Sequence, residues 1–410
     1  MIVQENGKMK KLITTCLIVL IAVPCFGDFA PAKQNDSKSE TVLKIPLIQK
    51  KPLIQMAILL DTSGSMSGLI DQARTELWTI VNEFIFARRC GLEPEVQVAL
   101  YEYGKSTIPS EKGYIRKISD FTTDLDKISE ELFALKTNGG YEYCGWVIKE
   151  ATSSLKWSDS PDDLKVIFIA GNEPFTQGPM DYRQSCRAAV SNGIIVNTIH
   201  CGSESAGING KWKDGAILAD GRFMTINHNR RAVHIAAPQD KEISELGVRL
   251  NDTYLAYGSR ASSSAARQMQ QDTNAANSSR EAVIQRSVAK ASVNYQNYSW
   301  DIVDAIKNKK LQLKDIDEKN LPAQMQKMDQ KQRQEYVAKM TAERSELQEK
   351  VQQLNEGRRK YLAEQMKKES HANTLGSAIV RMIREQAGKR NFTFKSAAAS
   401  KTGEKQNEAK

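Results

Sequence analysis

Apolar positions along the chain follow two alternating periods up to about residue 236 and a single helical period beyond it. From Gln55 an apolar run ends in Asp61, and residues 69–89 then place Ile70, Ala73, Leu77, Ile80, Val81 and Phe84 at helical spacing. The first elements are therefore a buried strand, a short loop and an amphipathic helix. Residues 96–103 and 114–121 predict two more strands, and 122–135 a helix with a capping-box start and Leu125, Ile128 and Leu132 on one face. A helix over 145–156, an apolar strand over 164–171, a helix ending at Gly193, a strand over 194–202 and a short strand over 222–227 complete the series. Alternation of this kind predicts an α/β fold, a doubly wound, mostly parallel sheet covered by helices on both faces. Such sheets bind ligands at the carboxyl ends of their strands, and Asp61 stands at one of those ends.

The pattern changes after Pro238. Residues 237–258 predict a helix, 259–282 a polar low-complexity linker, 283–395 a helical, partly extended region and 396–410 a disordered tail. Val337, Met340, Leu347, Val351, Leu354 and Tyr361 nearly fit a heptad seam, but Arg344 and Arg358 fall on the same stripe and Gly357 interrupts it. That pattern predicts a long, weakly self-associating hairpin rather than a committed coiled coil.

Composition alters this picture in two places. Residues 55–250 carry 21 Lys and Arg against 26 Asp and Glu, whereas residues 251–410 carry 29 against 19, so the basic balance of the chain belongs to its helical part. No block of Lys and Arg with interleaved aromatics appears there, so mixed-sign charge on solvated helices is expected, and no nucleic-acid partner. At the other end, a positive stretch at Met9–Lys11, an apolar stretch from Leu12 to Pro24 and small residues through Gly27 predict an export signal over 1–27, followed by a linker over 28–53. The α/β domain is then expected over 54–236, in a periplasmic or secreted protein. Acylation at Cys25, with membrane association at the envelope, is the alternative. Export leaves Cys90, Cys144, Cys186 and Cys201 in an oxidising compartment and predicts disulfides, with Cys186–Cys201 the preferred pair.

The candidate chemistry lies in DTSGSM, residues 61–66. Asp61, Ser63 and Ser65 offer three oxygens from one tight loop to a hard cation such as Mg²⁺. A serine that merely caps the following helix is the bland alternative. A phosphate-binding loop would need a Lys that is missing here, and a nucleophile elbow would need Ser where Met66 stands.

DTSGSM after a first buried strand, in this order of strands and helices, resembles the von Willebrand factor type A domain with its metal-ion-dependent adhesion site. The likeness covers about residues 53–236, and other stretches, among them NGGYEYCG and FIAGNEPFTQG, resemble an exported bacterial subfamily of this family with a helical C-terminal region. The resemblance implies that Asp61, Ser63 and Ser65 hold Mg²⁺, or Ca²⁺ or Mn²⁺. Where the family has a threonine in its second loop this chain has Tyr141, so Glu142 or Thr137 substitutes. Where the family has an aspartate after the fourth strand this chain has Ala170, Gly171 and Asn172, and Glu173 is the nearest carboxylate. The expected ligands are thus Asp61, Ser63, Ser65, Glu142 and Glu173. The implied function is a non-enzymatic module that captures an acidic side chain of a protein partner. An envelope scaffold binding through its basic helices is the alternative.

Overall fold

The computed structural model describes residues 51–227, 234–368 and 375–394; the export signal, nearly all of the expected linker and the tail from 396 lie outside the described residues. The chain runs β1 (Leu53–Asp61), α1 (Ser67–Glu83), the short β2 (Ala87–Arg88), β3 (Glu95–Tyr103), β4 (Ile115–Thr122), α2 (Leu125–Ala134), α3 (Cys144–Ser154), β5 (Leu164–Gly171), α4 (Tyr182–Ser191), β6 (Ile195–Cys201), α5 (Glu204–Asn209), α6 (Trp212–Leu218) and β7 (Phe223–Ile226). Six of these strands form one sheet in the order β4-β3-β1-β5-β6-β7, parallel except for β4. This is the doubly wound α/β fold that the periodicity predicts.

The two-residue alternation of the strands divides their side chains between two cores. Ile54, Met56, Ile58 and Leu60 of β1 meet α1 and α2 on the first face, while Ala57 and Leu59 meet α3, α4 and α6 on the second. The same alternation separates two cysteines. Cys201 packs on the first face and Cys186 on the second, so the sheet stands between them and the expected Cys186–Cys201 bridge does not form. All four described cysteines are unpaired.

Beyond β7 come α7 (Asp240–Arg249), α8 (Ala261–Ser278), α9 (Arg280–Lys290), α10 (Ile302–Lys307), α11 (Ala323–Gln326), α12 (Gln330–Lys368), α13 (Leu375–Gly388) and β8 (Thr393–Phe394). Three expectations change here. The polar stretch 259–282 is not a joint, because α8 occupies most of it and buries Ser264, Gln268, Gln271 and Ala275. Its contacts are polar: Gln271 accepts from the Ser129 hydroxyl at 2.9 Å and Gln268 donates to the Tyr295 hydroxyl at 3.0 Å.

The second change concerns α12, whose two stripe-breaking arginines turn inward as anchors. Arg344 reaches Asp301 at 2.6 Å and Asp304 at 2.9 Å, and Arg358 reaches Asp240 at 2.7 Å and Glu281 at 2.6 Å. Leu347 and Val351 then pack with Ile243, Leu246, Ile284 and Val288, so this part of the apolar seam is used within the chain.

Third, the sheet draws on the end of the chain, well past residue 236. Met382, Ile383 and Ala387 of α13 enter the first-face core, and Gln386 exchanges two amide hydrogen bonds with Asn197 of β6, at 2.7 and 3.1 Å. β8 pairs antiparallel with β2.

Candidate cation-binding site

β1 lies between β3 and β5, in register with both, which delivers Asp61 to the sheet edge beside Tyr103 of β3 and the end of β5. The loop after β1 is fixed by the backbone of its neighbours. Thr62 N–H donates to Tyr103 O at 2.8 Å, Gly64 N–H to Gly139 O at 3.0 Å, and Asn138 N–H to Thr62 O at 2.8 Å. Two close approaches need glycine. A Cβ on Gly104, whose φ is +86°, would fall 2.8 Å from Asp61 Oδ1 and 2.9 Å from Glu142 Cγ, and one on Gly171 would fall 3.1 Å from Asp61 Oδ2.

Within this frame Asp61 Oδ1 accepts the Ser63 N–H at 2.7 Å, and the Ser63 and Ser65 hydroxyls lie 3.4 Å apart. Neither Ser65 nor Ser67 caps α1 as the bland alternative requires, because the N-cap is Met66 and no side chain bonds the first turn. Glu142 is 2% exposed, and its carboxyl meets those of Asp61 and the Ser63 side chain. Its Oε2 accepts the Glu173 N–H at 3.2 Å, and its own N–H donates to Gln177 Oε1. Asn172 Nδ2 donates to the Ser65 hydroxyl at 3.3 Å.

The structure thus brings Asp61, Ser63, Ser65 and Glu142 together. Glu173 joins through its backbone. Tyr141, in the place of the family's threonine, turns out to solvent with 56% exposure and stacks on Tyr114 at 5.1 Å between ring centroids. Sequence reasoning missed Asn172 as a donor, having looked for a carboxylate there. The signal was an amide oxygen directly after a buried strand.

Burial first, and then the bond to Glu142 and its charge, push Asp61 well above the ordinary carboxylate range; burial likewise raises Glu142. Asp61 Oδ2 is buried without a donor. A buried acceptor left in this state costs about 1–3 kcal/mol. Every other buried acid among the described residues has a guanidinium: Glu83 with Arg384, Glu102 with Arg116, Asp126 with Arg286, Asp163 with Arg89, Asp240 with Arg358, and Asp301 and Asp304 with Arg344. Asp61 and Glu142 have each other. Two facing carboxyls are stable only with a proton or a cation between their charges.

The donors are all oxygens, two of them carboxylates, which fits Mg²⁺, Mn²⁺ or Ca²⁺. Among the described residues no three His, Cys, Asp or Glu side chains converge, so a cation would need the hydroxyls as well. Behind the site, Tyr103 donates to Ala170 O at 2.9 Å and the Cys144 thiol to the Tyr103 hydroxyl at 3.8 Å. Burial raises both pKa values and disfavours the thiolate. His200 is buried against Trp212 with its pKa lowered by burial, and it forms no dyad with Cys201, which points to the opposite face.

No family model matches the chain, and no curated protein does. Among solved structures, the VWA domain of SpRpn10 is 19% identical over 42% of this chain and 88% of its own, with a TM-score of 0.33. BatB from Bacteroides thetaiotaomicron is 13% identical over 42% and 90%, also at 0.33. Proximal thread matrix protein 1 of the mussel byssus is 14% identical over 43% of this chain, at 0.33, and the match spans 42% of that protein's length.

Proposed function

We propose that this chain is an exported, non-enzymatic binding module that holds a divalent cation, Mg²⁺, Ca²⁺ or Mn²⁺, among Asp61, Ser63, Ser65 and Glu142, with the Glu173 carboxylate on the adjoining loop. The ion's outward face takes an acidic side chain of a protein partner. One observation carries this reading: every buried acid of the described residues is matched to an arginine except the two that face each other at the sheet edge. Two hydroxyls beside them add ligands without adding charge, which keeps a bound ion electrophilic enough to accept a further carboxylate.

Hydrolytic chemistry is poorly served, because the Cys144 thiol is buried against the Tyr103 hydroxyl, where burial disfavours its thiolate, and the His200 imidazole is buried against Trp212 rather than beside a nucleophile. The alternative, a contact made by the basic helices, loses Arg286, Lys290, Arg344 and Arg358, all of which are buried in internal ion pairs. No described helix is long and apolar enough to cross a membrane.

The test is calorimetric titration of Mg²⁺, Mn²⁺ and Ca²⁺ into the full chain and into a Ser63→Ala, Ser65→Ala double variant. Binding heat in the first that disappears in the second is expected. Silence from both overturns the reading.

A further inference from the structure

The loop after β5 brings another neutral oxygen to the site. Asn172 is half-buried, its Nδ2 lies 3.3 Å from the Ser65 hydroxyl, and its Oδ1 is shut off from solvent without a donor. A half-turn of the amide exchanges its two ends, so either pose leaves a carbonyl oxygen in this neighbourhood. Asp61 Oδ2 is the other orphaned buried acceptor here. The residues that carry them are linked by a row of contacts of 2.7–3.4 Å, from Asn172 Nδ2 to the Ser65 hydroxyl, from there to the Ser63 hydroxyl, and from the Ser63 N–H to Asp61 Oδ1. Separate loops have each delivered an oxygen that lacks an electropositive partner.

We propose, on the reading that a divalent cation lies among these oxygens, that Asn172 Oδ1 is one of its ligands and biases the site toward Ca²⁺ over Mg²⁺. The donor set is then the carboxylates of Asp61 and Glu142, two hydroxyls and an amide carbonyl, with the Glu173 carboxylate on the adjoining loop. Ca²⁺ takes six to eight oxygens in adaptable geometry and accepts amide carbonyls and two-oxygen carboxylate contacts readily. Mg²⁺ demands a near-octahedral shell and keeps several of its waters. Asp61, Ser63 and Glu142 are at most 2% exposed, so an ion held here sheds its inner waters and keeps them only on the outward side, where Ser65 is exposed. Glu142 carries its carboxylate on the longer of the two acidic side chains, able to meet an ion with both oxygens, a contact Ca²⁺ accepts more readily than Mg²⁺.

The experiment uses the full chain, titrated separately with Ca²⁺ and Mg²⁺, and with Tb³⁺ as a Ca²⁺-sized probe whose luminescence is excited through nearby tyrosines. The unaltered protein is expected to bind Ca²⁺ at least ten-fold more tightly than Mg²⁺. Asn172→Ala should lose about ten-fold or more in Ca²⁺ affinity and in Tb³⁺ emission, with a smaller change for Mg²⁺, and Asn172→Asp should regain Ca²⁺ binding. If the unaltered protein binds and the double serine variant does not, while Asn172→Ala keeps the original Ca²⁺ to Mg²⁺ ratio, the role of Asn172 is overturned and the cation site stands. If the unaltered protein binds neither ion, both fall.

Discussion

The helical layer and the sheet edge treat buried carboxylates in opposite ways. In the layer, Arg286 lies between Asp126 and Asp272 and over the Trp78 ring, Arg344 lies between Asp301 and Asp304, and Arg358 joins Asp240 to Glu281. Each buried negative charge has a fixed positive one. At the sheet edge Asp61 and Glu142 meet hydroxyls, one backbone N–H apiece and one another. The same chain has solved the same electrostatic problem internally in one region and left it open in the other. An open solution is what a site for an external cation requires.

The largest way to break that comparison is to remove a clamp. Arg344→Ala leaves Asp301 and Asp304 buried and facing each other, and is expected to cost about 3–5 kcal/mol of unfolding free energy, measured by chemical denaturation. Asp61→Asn, in chelator, does the reverse: it removes one of two opposed charges and supplies an N–H that the Glu142 carboxylate can accept, so the midpoint should rise. An Asp61→Asn loss as large as that of Arg344→Ala would mean that the sheet edge is paired as the layer is.

A smaller effect separates backbone strain from crowding. Gly258, at the junction into the helical layer, has φ of +81° with nothing within 4 Å of an added Cβ, whereas Gly104 has φ of +86° and Asp61 and Glu142 in the way. Gly258→Ala is expected to cost about 1 kcal/mol and Gly104→Ala about 1–3 kcal/mol. The excess reports the crowding at the site. Equal losses would place the Asp61 and Glu142 side chains farther from Gly104 than the structure has them.

The difference between the regions was unevenly legible in the sequence. The strands were plain because each is apolar along its length, and Asp61, Ser63 and Ser65 were plain because one loop carries all three. Glu142 was one of two candidates in its loop, and the neighbour that settles its position is Gly104, on a third loop. The layer was the harder part. α8 buries glutamines against a serine and a tyrosine, so its inward face has no apolar stripe to read. Arg344 and Arg358 looked like flaws in a seam because their partners, Asp301 and Asp240, lie on other elements far along the chain.

The pH dependence of stability should also split the two regions. Asp61 and Glu142 have folded pKa values raised above the ordinary 3.8 and 4.5. Without a cation their contribution is therefore fully present below those values and lost as pH rises through the raised ones. Asp272 is shifted the other way: although burial raises its pKa, the Arg286 and Lys290 charges outweigh that and hold it below 3.8, so its contribution is present above 3.8 and lost as pH falls through the lowered value. In chelator, Glu142→Gln should gain on the unaltered protein as pH rises from 4 to 8, while Asp272→Asn should fall behind it by a constant amount over the same range. A cation should abolish the gain of Glu142→Gln. If that gain is flat with pH, the two carboxyls do not oppose each other.

The smallest effect tests whether burial, rather than pairing as such, distinguishes the layer. Lys350 of α12 meets Glu242 of α7 at 2.6 Å, a shorter contact than that between Arg358 and Asp240, yet both side chains are about half exposed. Water screens such a pair, and holding two long side chains in one pose offsets much of the attraction. Lys350→Ala is expected to cost no more than about 0.5–1 kcal/mol and to become neutral at high salt, whereas loss of a buried clamp should hardly respond to salt. A Lys350→Ala loss approaching that of Arg344→Ala would show that α12 is held by contact geometry at its surface, and the contrast between clamped layer and open sheet edge would then rest on distance rather than on desolvated charge.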